Sequence, residues 1–306
     1  MYILLIPAII VLLIIAGIFF LSVRRWWIAG FLMVAALVLN QLTDVFALHP
    51  FTPSLSAEHP TDAHTLRVLT YNIGLHNDYL DHNQDQLQGI VQLFSQTDAD
   101  VVVLPESRLY SRYPQLLELL SQQYPYNITQ ATDITPRYIE TFVFSRYPIS
   151  NVQQLGDYIY AMDVTPDPAM PSLRLVACHL SSNQWHSSLN GGEGLLGNLQ
   201  QGYARRLKQA QSIVTSLSGH QGPLIVCGDL NDLCGSPALR TLQQQLSLSD
   251  AWSAKGFGYG TTCTAKGLRL RLDHILYNPK QLTATSVSIC DAPFSDHLPL
   301  AADFRY

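Results

Sequence analysis

Residues 227–237 read "CGDLNDLCGSP". The run before them, Pro223-Leu224-Ile225-Val226, is apolar and suits a buried strand. It then meets Gly228, Asp229, Asn231 and Asp232. A strand aimed at an interior that ends in carboxylates and an amide is either an ordinary turn or a carrier of polar groups into a site. Period-two spacing puts Asp229 and Asn231 on one side. Asp232 falls out of phase and reads as a turn residue. Ser236-Pro237 then opens a helix.

The same arrangement recurs along the chain. Strands are expected at "LRVLTYN" (66–72), "ADVVVLPES" (99–107), "ETFVFSRYPI" (140–149), "LRLVACHL" (173–180), "PLIVCGDL" (223–230), "LRLDHILYN" (270–278) and "LPLAADF" (298–304). Helical periodicity falls between some of them. Leu87, Ile90, Val91 and Phe94 share one face of 83–96; Tyr203, Leu207, Ala210, Val214 and Leu217 share one face of 203–217. A further helix is expected at 236–246. Glycine-rich residues 187–202 read as a long loop. Many strands mixed with helices imply two packed sheets flanked by helices.

Polar residues stand at the ends of the most apolar strands. They are Asn72 in "TYNIG", Glu106 in "VLPES", His179 in "ACHLSSN", Asp229 and Asn231 in "GDLND", Asp273 in "RLDHIL", and Asp296 and His297 in "FSDHLPL". Each alone is explained by a cap, a turn or a structural histidine. Unrelated turns do not explain why acids, amides and histidines gather at these strand ends.

The motifs "YNIG", "LPES", "FSRYPI", "CHLSSN", "GDLND", "RLDHIL" and "SDHLPL" occur in an order that resembles the endonuclease/exonuclease/phosphatase superfamily, the fold of DNase I. The resemblance spans residues 66–306. The segment before it looks like that of a bacterial membrane-attached branch. The implied fold is a four-layer α/β sandwich of two packed mixed sheets flanked by helices, and the implied activity is metal-dependent phosphoester hydrolysis. The implied cofactor is Mg²⁺, with Mn²⁺ as a substitute, because a hard cation takes oxygen ligands and withdraws charge from phosphate.

By resemblance, Glu106 is the principal metal ligand, with Asn72 and Asp296 nearby. Asp229 positions or deprotonates the attacking water, or assists the leaving group. Asn231 donates to the phosphate and His179 binds it from the other side. His297 pairs with Asp273, which fixes its tautomer and favours its charged form. Glu140, on the strand face of Phe142 and Phe144, is a candidate partner for His179. Some members carry an acid two residues after the first-motif Asn. Here that position is Gly74, so one ligand for a second metal is missing. The alternative is a catalytically inactive, membrane-tethered binding or scaffold module with the same fold. The intact set of Glu106, Asp229, Asp273 and His297 argues against it.

Residues 1–23 contain no charge, and after Arg24 and Arg25 a second uncharged run extends from Trp26 to Thr43. About 20 apolar residues span a bilayer as a helix. Residues 1–47 are therefore expected to form two transmembrane helices, 48–65 a linker, and 66–306 the catalytic domain. A buried hairpin in a soluble core would need a polar face that these runs lack. A signal peptide fits poorly because no positive region precedes the first run. The paired arginines put the connection in the cytoplasm, hence both termini and the domain outside it, at a cell (inner) membrane.

Of 18 Lys+Arg and 23 Asp+Glu, two and three fall in the first 66 residues, leaving a domain with a net charge of −4. That argues against a broad polyanion surface. A lipid headgroup, a nucleic acid or a small phosphodiester all remain as the phosphoester substrate, and no feature calls for a protein partner. The five cysteines have no CxxC spacing, which disfavours zinc. Cys234 and Cys263, in expected loops, are the pair to test for a disulfide. Cys178 and Cys227 read as small buried hydrophobes on opposite sheet faces.

Overall fold

The structure is a computed structural model that describes residues 2–52, 65–74, 84–183, 195–264 and 269–306. It begins with two antiparallel helices, α1 (Tyr2–Ser22) and α2 (Trp26–Thr43). Windows of 18 residues in each are long and apolar enough to cross a membrane, and only 11% and 22% of those windows are buried. A core helix would hide most of its surface, whereas these helices expose theirs.

The rest is two six-stranded mixed sheets stacked face to face. In the first, β13 (Thr283–Ile289), β14 (Leu300–Arg305), β2 (Thr65–Thr70), β3 (Val101–Leu104), β5 (Phe142–Ser145) and β4 (Tyr126–Asn127) are neighbours in that order. In the second the order is β10 (Ser249–Asp250), β12 (Asp273–Tyr277), β9 (Leu224–Asp229), β8 (Leu173–His179), β7 (Ile159–Val164) and β6 (Ile149–Gly156). A small ribbon pairs β1 (Ala47–Leu48) with β11 (Phe257–Gly258). Helices α3 (Gln84–Thr97) and α5 (Pro114–Gln123), with the short α4 (Leu109–Arg112) before α5, join the core on the outer side of the first sheet. Helices α6 (Leu195–Ser216) and α7 (Pro237–Gln245) cover the second. The short α8 (Ala251–Lys255) follows β10 and carries an Asp250 cap on Ser253. The implied four-layer sandwich is the architecture observed.

Alternation along the strands sets what faces what. Leu175, Ala177, Ile225, Cys227 and Ile275 point between the sheets, while Val176, Cys178, Val226 and Leu276 point to α6 and α7. Each is fully buried, worth roughly 1.5–3 kcal/mol for a large aliphatic side chain. His179, Asp229 and Asp273 continue the inward series by period two. The strands that build the core therefore also deliver the polar groups to one end of the gap between sheets.

Several expectations need correction. The stretch 140–149 is not one strand. β5 ends at Ser145, and the chain crosses at Arg146-Tyr147-Pro148 to β6 in the other sheet. Phe144 faces outward against Tyr124 of the α5 side, so the Phe142/Phe144 face does not look into the gap. Residues 195–202 are not loop but the first turns of α6; residues 187–194 lie outside the described residues. The β6–β7 hairpin, β13 and α5 carry no expectation in the sequence. Of the segment read as a linker, Leu48 pairs with Phe257, and residues 53–64 lie outside the described residues. All five cysteines are free: the Cys234 sulfur accepts from Arg271, and Cys263 is bridged to His297.

Candidate active site

Three adjacent strands put three polar side chains in one row. β8 and β9 run parallel with His179 opposite Asp229, and β9 and β12 run antiparallel with Asp273 opposite Asp229. Neighbours in such a row sit about 5 Å apart. The His179 Nε2 lies 4.0 Å from Asp229 Oδ2. The row depends on a glycine. Gly228 has φ +138°, and a Cβ there would lie 1.9 Å from the Cys178 backbone oxygen. Only a residue without a side chain lets β8 approach β9 so closely.

The first sheet supplies the opposite wall. Asn72, just past β2, donates from Nδ2 to Asp229 Oδ2 at 2.9 Å and accepts at Oδ1 from the Gly74 N–H at 2.8 Å. Ser295 donates to the Asn72 carbonyl at 2.8 Å and approaches Asp296 Oδ1 at 3.4 Å. A Cβ on Gly74 would meet Ser295 Oγ at 2.8 Å and Asp296 Oδ1 at 3.1 Å, so an acid at that position would collide with this loop. Glu106, just past β3, reaches His179 Nε2 at 3.2 Å. Glu106 and Asn231 both hold positive φ, near +53° and +50°. Strained backbone of this kind persists only where surroundings hold it, and it gathers at sites.

His297 closes the row. Its Nδ1 donates to Asp273 Oδ2 at 2.7 Å, and its Nε2 lies 3.9 Å from Asp229 Oδ2. Burial opposes its positive charge, but Asp273 and Asp229 outweigh burial and raise its pKa well above the usual imidazole value. Burial, then the charge of Asp273, pushes the Asp229 carboxyl upward, against pull from His297, His179 and Asn72. Asn231 donates its backbone N–H to Asp229 Oδ1 at 2.8 Å and its side-chain amide to the Leu180 carbonyl at 2.9 Å. All eight residues singled out in the sequence thus meet at this end of the sandwich. Glu140 does not; it pairs with Arg108 at 2.9 Å.

Two kinds of donor for a cation stand here. One atom each from Asp229, Asp273 and His297 lies within 4.8 Å of the others. Asp273 Oδ1 and His179 Nδ1 are buried without a hydrogen-bond partner, and His179 Nε2 has only the 3.2 Å approach of Glu106, which does not make a hydrogen bond in geometry. Orphaned buried polar atoms beside oxygen donors suit a hard cation with a bound anion.

A polar layer behind the row was not legible. Asp232, which reads as a turn residue in the sequence, is buried against Arg206 at 3.3 Å. Its carbonyl accepts from His274 Nε2 at 3.1 Å, whose Nδ1 meets Asp250 Oδ2 at 2.8 Å. Arg271 pairs with Asp250 Oδ1 at 3.0 Å. Burial raises the Asp250 carboxyl, but Arg271 and His274 outweigh it and hold the group well below the usual carboxylate range. His274 alternates with Asp273 and so lies on the opposite face. The adjacent "DH" in the sequence carried the one available signal.

Fold and site together define a two-sheet sandwich with acid, amide and histidine groups gathered at one end. The chain belongs to the Endonuclease/Exonuclease/phosphatase family, whose model matches residues 69–297. No curated protein sequence matches it. Solved structures share its fold. Beta toxin from Staphylococcus aureus with bound magnesium ions is 17% identical, covering 78% of this chain and 98% of that one, with a TM-score of 0.52. The catalytic domain of human Nocturnin with a bound sulfate anion is 18% identical, covering 78% and 94%, at 0.55. An endonuclease/exonuclease/phosphatase from Beutenbergia cavernae is 20% identical, covering 79% and 72%, at 0.55.

Proposed function

We propose that the chain is a membrane-anchored, divalent-metal-dependent phosphoester hydrolase acting outside the cytoplasm. The observation that carries the catalytic part is the row His179–Asp229–Asp273, closed by the 2.7 Å His297–Asp273 pair and faced by Asn72 at 2.9 Å. A non-catalytic module has no use for a buried carboxylate flanked by a second carboxylate and two histidines, because such groups cost stability.

Asp229 is the base. Its raised pKa and its place between His179 and His297 suit it to take a proton from an attacking water. Asn72 and the Asn231 backbone N–H hold its two oxygens in one orientation. The imidazolium of His297, kept charged by Asp273, neutralises charge that builds on the phosphorus oxygens. His179 presents the same oxygens with a second polar group. A hard cation held by Glu106, Asn72 and Asp296, Mg²⁺ in the first instance, supplies charge withdrawal from the phosphate when bound. We assign it these oxygen ligands rather than the Asp229–Asp273–His297 trio, because a charged His297 has no lone pair to offer.

The anchoring part rests on the two charge-free helices and on Arg24-Arg25 between them. The test is a metal-supplemented panel of DNA, RNA, phospholipid vesicles and a small phosphodiester, given to the full chain in detergent. Hydrolysis that EDTA abolishes, and that Asp229→Ala or His297→Ala removes from folded protein, is the expected result. Full activity in either variant overturns the residue assignment.

A further inference from the structure

After Thr43, and among the described residues, the exposed large side chains that lack any polar atom are Leu48, Phe51 and Phe257, exposed by 55%, 96% and 63%. All three stand on the β1–β11 ribbon or in the turn that follows β1. Such residues scattered singly over a surface need no explanation, but concentration in one place does. The ribbon lies against the helical hairpin. Leu48 and Phe257 share an apolar groove of about 350 Å³ with Ile10, Ile14, Met33 and Leu37.

The depth of this contact follows from helix geometry. Ile10 and Ile14 lie about 12 and 18 Å along α1 from Tyr2, at 1.5 Å per residue. The groove therefore runs from the ribbon down along the hairpin, away from the end on which the catalytic domain sits. We propose that the β1–β11 ribbon and Phe51 form a wedge that dips into the bilayer holding the hairpin, with phospholipid acyl chains filling the groove. The proposal rests on the membrane reading above. Its level is the headgroup–acyl boundary, since an open two-stranded edge cannot be satisfied deep in hydrocarbon.

The wedge is built, not trailing. Asn40 of α2 donates to the Phe46 carbonyl and accepts from the Phe46 N–H, both at 2.8 Å, so its amide is satisfied inside the protein. On the other side the His49 N–H donates to the Gly256 carbonyl at 3.1 Å, and Trp252 Nε1 donates to the Gly258 carbonyl at 3.2 Å. The chain then runs from Gly258 to Cys263, which is bridged to His297. Five residues span at most about 18 Å. The wedge thus holds Cys263, one bridge away from His297, within that distance of the ribbon, on the side of the domain where a headgroup phosphoester would lie.

The test places a nitroxide on single cysteines at Phe257→Cys and Leu48→Cys in a Cys290→Ser background. The full chain is carried in phosphatidylcholine nanodiscs. Ile14→Cys reports the hairpin, and Lys280→Cys, on the exposed turn after β12, reports water. Labels at 257 and 48 are expected to relax with oxygen and resist a water-soluble nickel chelate, as at 14 and unlike at 280. Chelate access at 257 and 48 equal to that at 280, with 14 still protected, overturns the wedge alone. Chelate access at 14 as well overturns membrane insertion and the wedge with it.

Discussion

Asp273 and His297 form a buried pair, Oδ2 accepting from Nδ1 at 2.7 Å, with the other ring nitrogen 3.9 Å from Asp229. The pair fixes which imidazole nitrogen faces Asp229. Asp273→Asn keeps the shape but loses the charge that holds His297 protonated. Turnover is expected to fall on the order of 10²–10⁴-fold, with circular dichroism and thermal midpoint near wild type. Unchanged turnover would remove the pair from the mechanism.

Glu106 stands in strained backbone beside His179 and is proposed as the main cation ligand. Glu106→Gln should weaken Mg²⁺ affinity by at least roughly 10–100-fold, the loss that follows when even an outer partner of a metal ligand is removed. Calorimetric titration of the folded variant reads this directly. Equal affinity in variant and wild type would move the ligand role elsewhere.

Gly228→Ala is expected to be severe although it adds one methyl group. The new Cβ would lie 1.9 Å from the Cys178 oxygen, at φ +138°. The cost should be at least about 3 kcal/mol, read as a lowered denaturation midpoint. A variant as stable as wild type would mean that β8 and β9 are spaced otherwise.

Asp250 sets an acid limit on stability. Burial raises its carboxyl, yet Arg271 and His274 hold it well below the usual range. A depressed folded pKa contributes stability that is full above the unfolded value, near 4, and lost as pH falls below it. Wild type should therefore lose stability between about pH 5 and pH 2, and Asp250→Asn should show a flatter acid limb from a lower starting point. Removing the buried charge costs about 3–5 kcal/mol at neutral pH. Denaturation at a series of pH values gives both curves, and parallel limbs would contradict the assignment.

What the sequence disclosed follows from locality. An unbroken apolar run such as 223–226 declares a buried strand and where it ends, so His179, Asp229 and Asp273 could be singled out as polar groups at strand ends without coordinates. The bend at Arg146-Tyr147-Pro148 was hidden because Tyr147 and Ile149 carry the apolar pattern of β5 past it, so the run reads as one strand. The hairpin from Ile149 to Val164 was missed because β6 is half-exposed and polar in "SNVQQLG". Asp232 misled for a different reason. Its burial depends on Arg206, 26 residues earlier on another element, and a pairing across that distance leaves no trace in local spacing. Glu140 shows the converse, since a shared strand face suggested a partner that the outward turn of Phe144 forbids.

The central claim is that this row of residues hydrolyses a phosphoester with the help of a divalent cation. The most direct measurement is release of p-nitrophenol from bis(p-nitrophenyl) phosphate by the full chain in detergent, with Mg²⁺, with EDTA, and with His297→Ala in parallel. Turnover with Mg²⁺ is expected, and it should disappear with EDTA and in the folded variant. Turnover that survives in EDTA, or that His297→Ala retains in full, would contradict it.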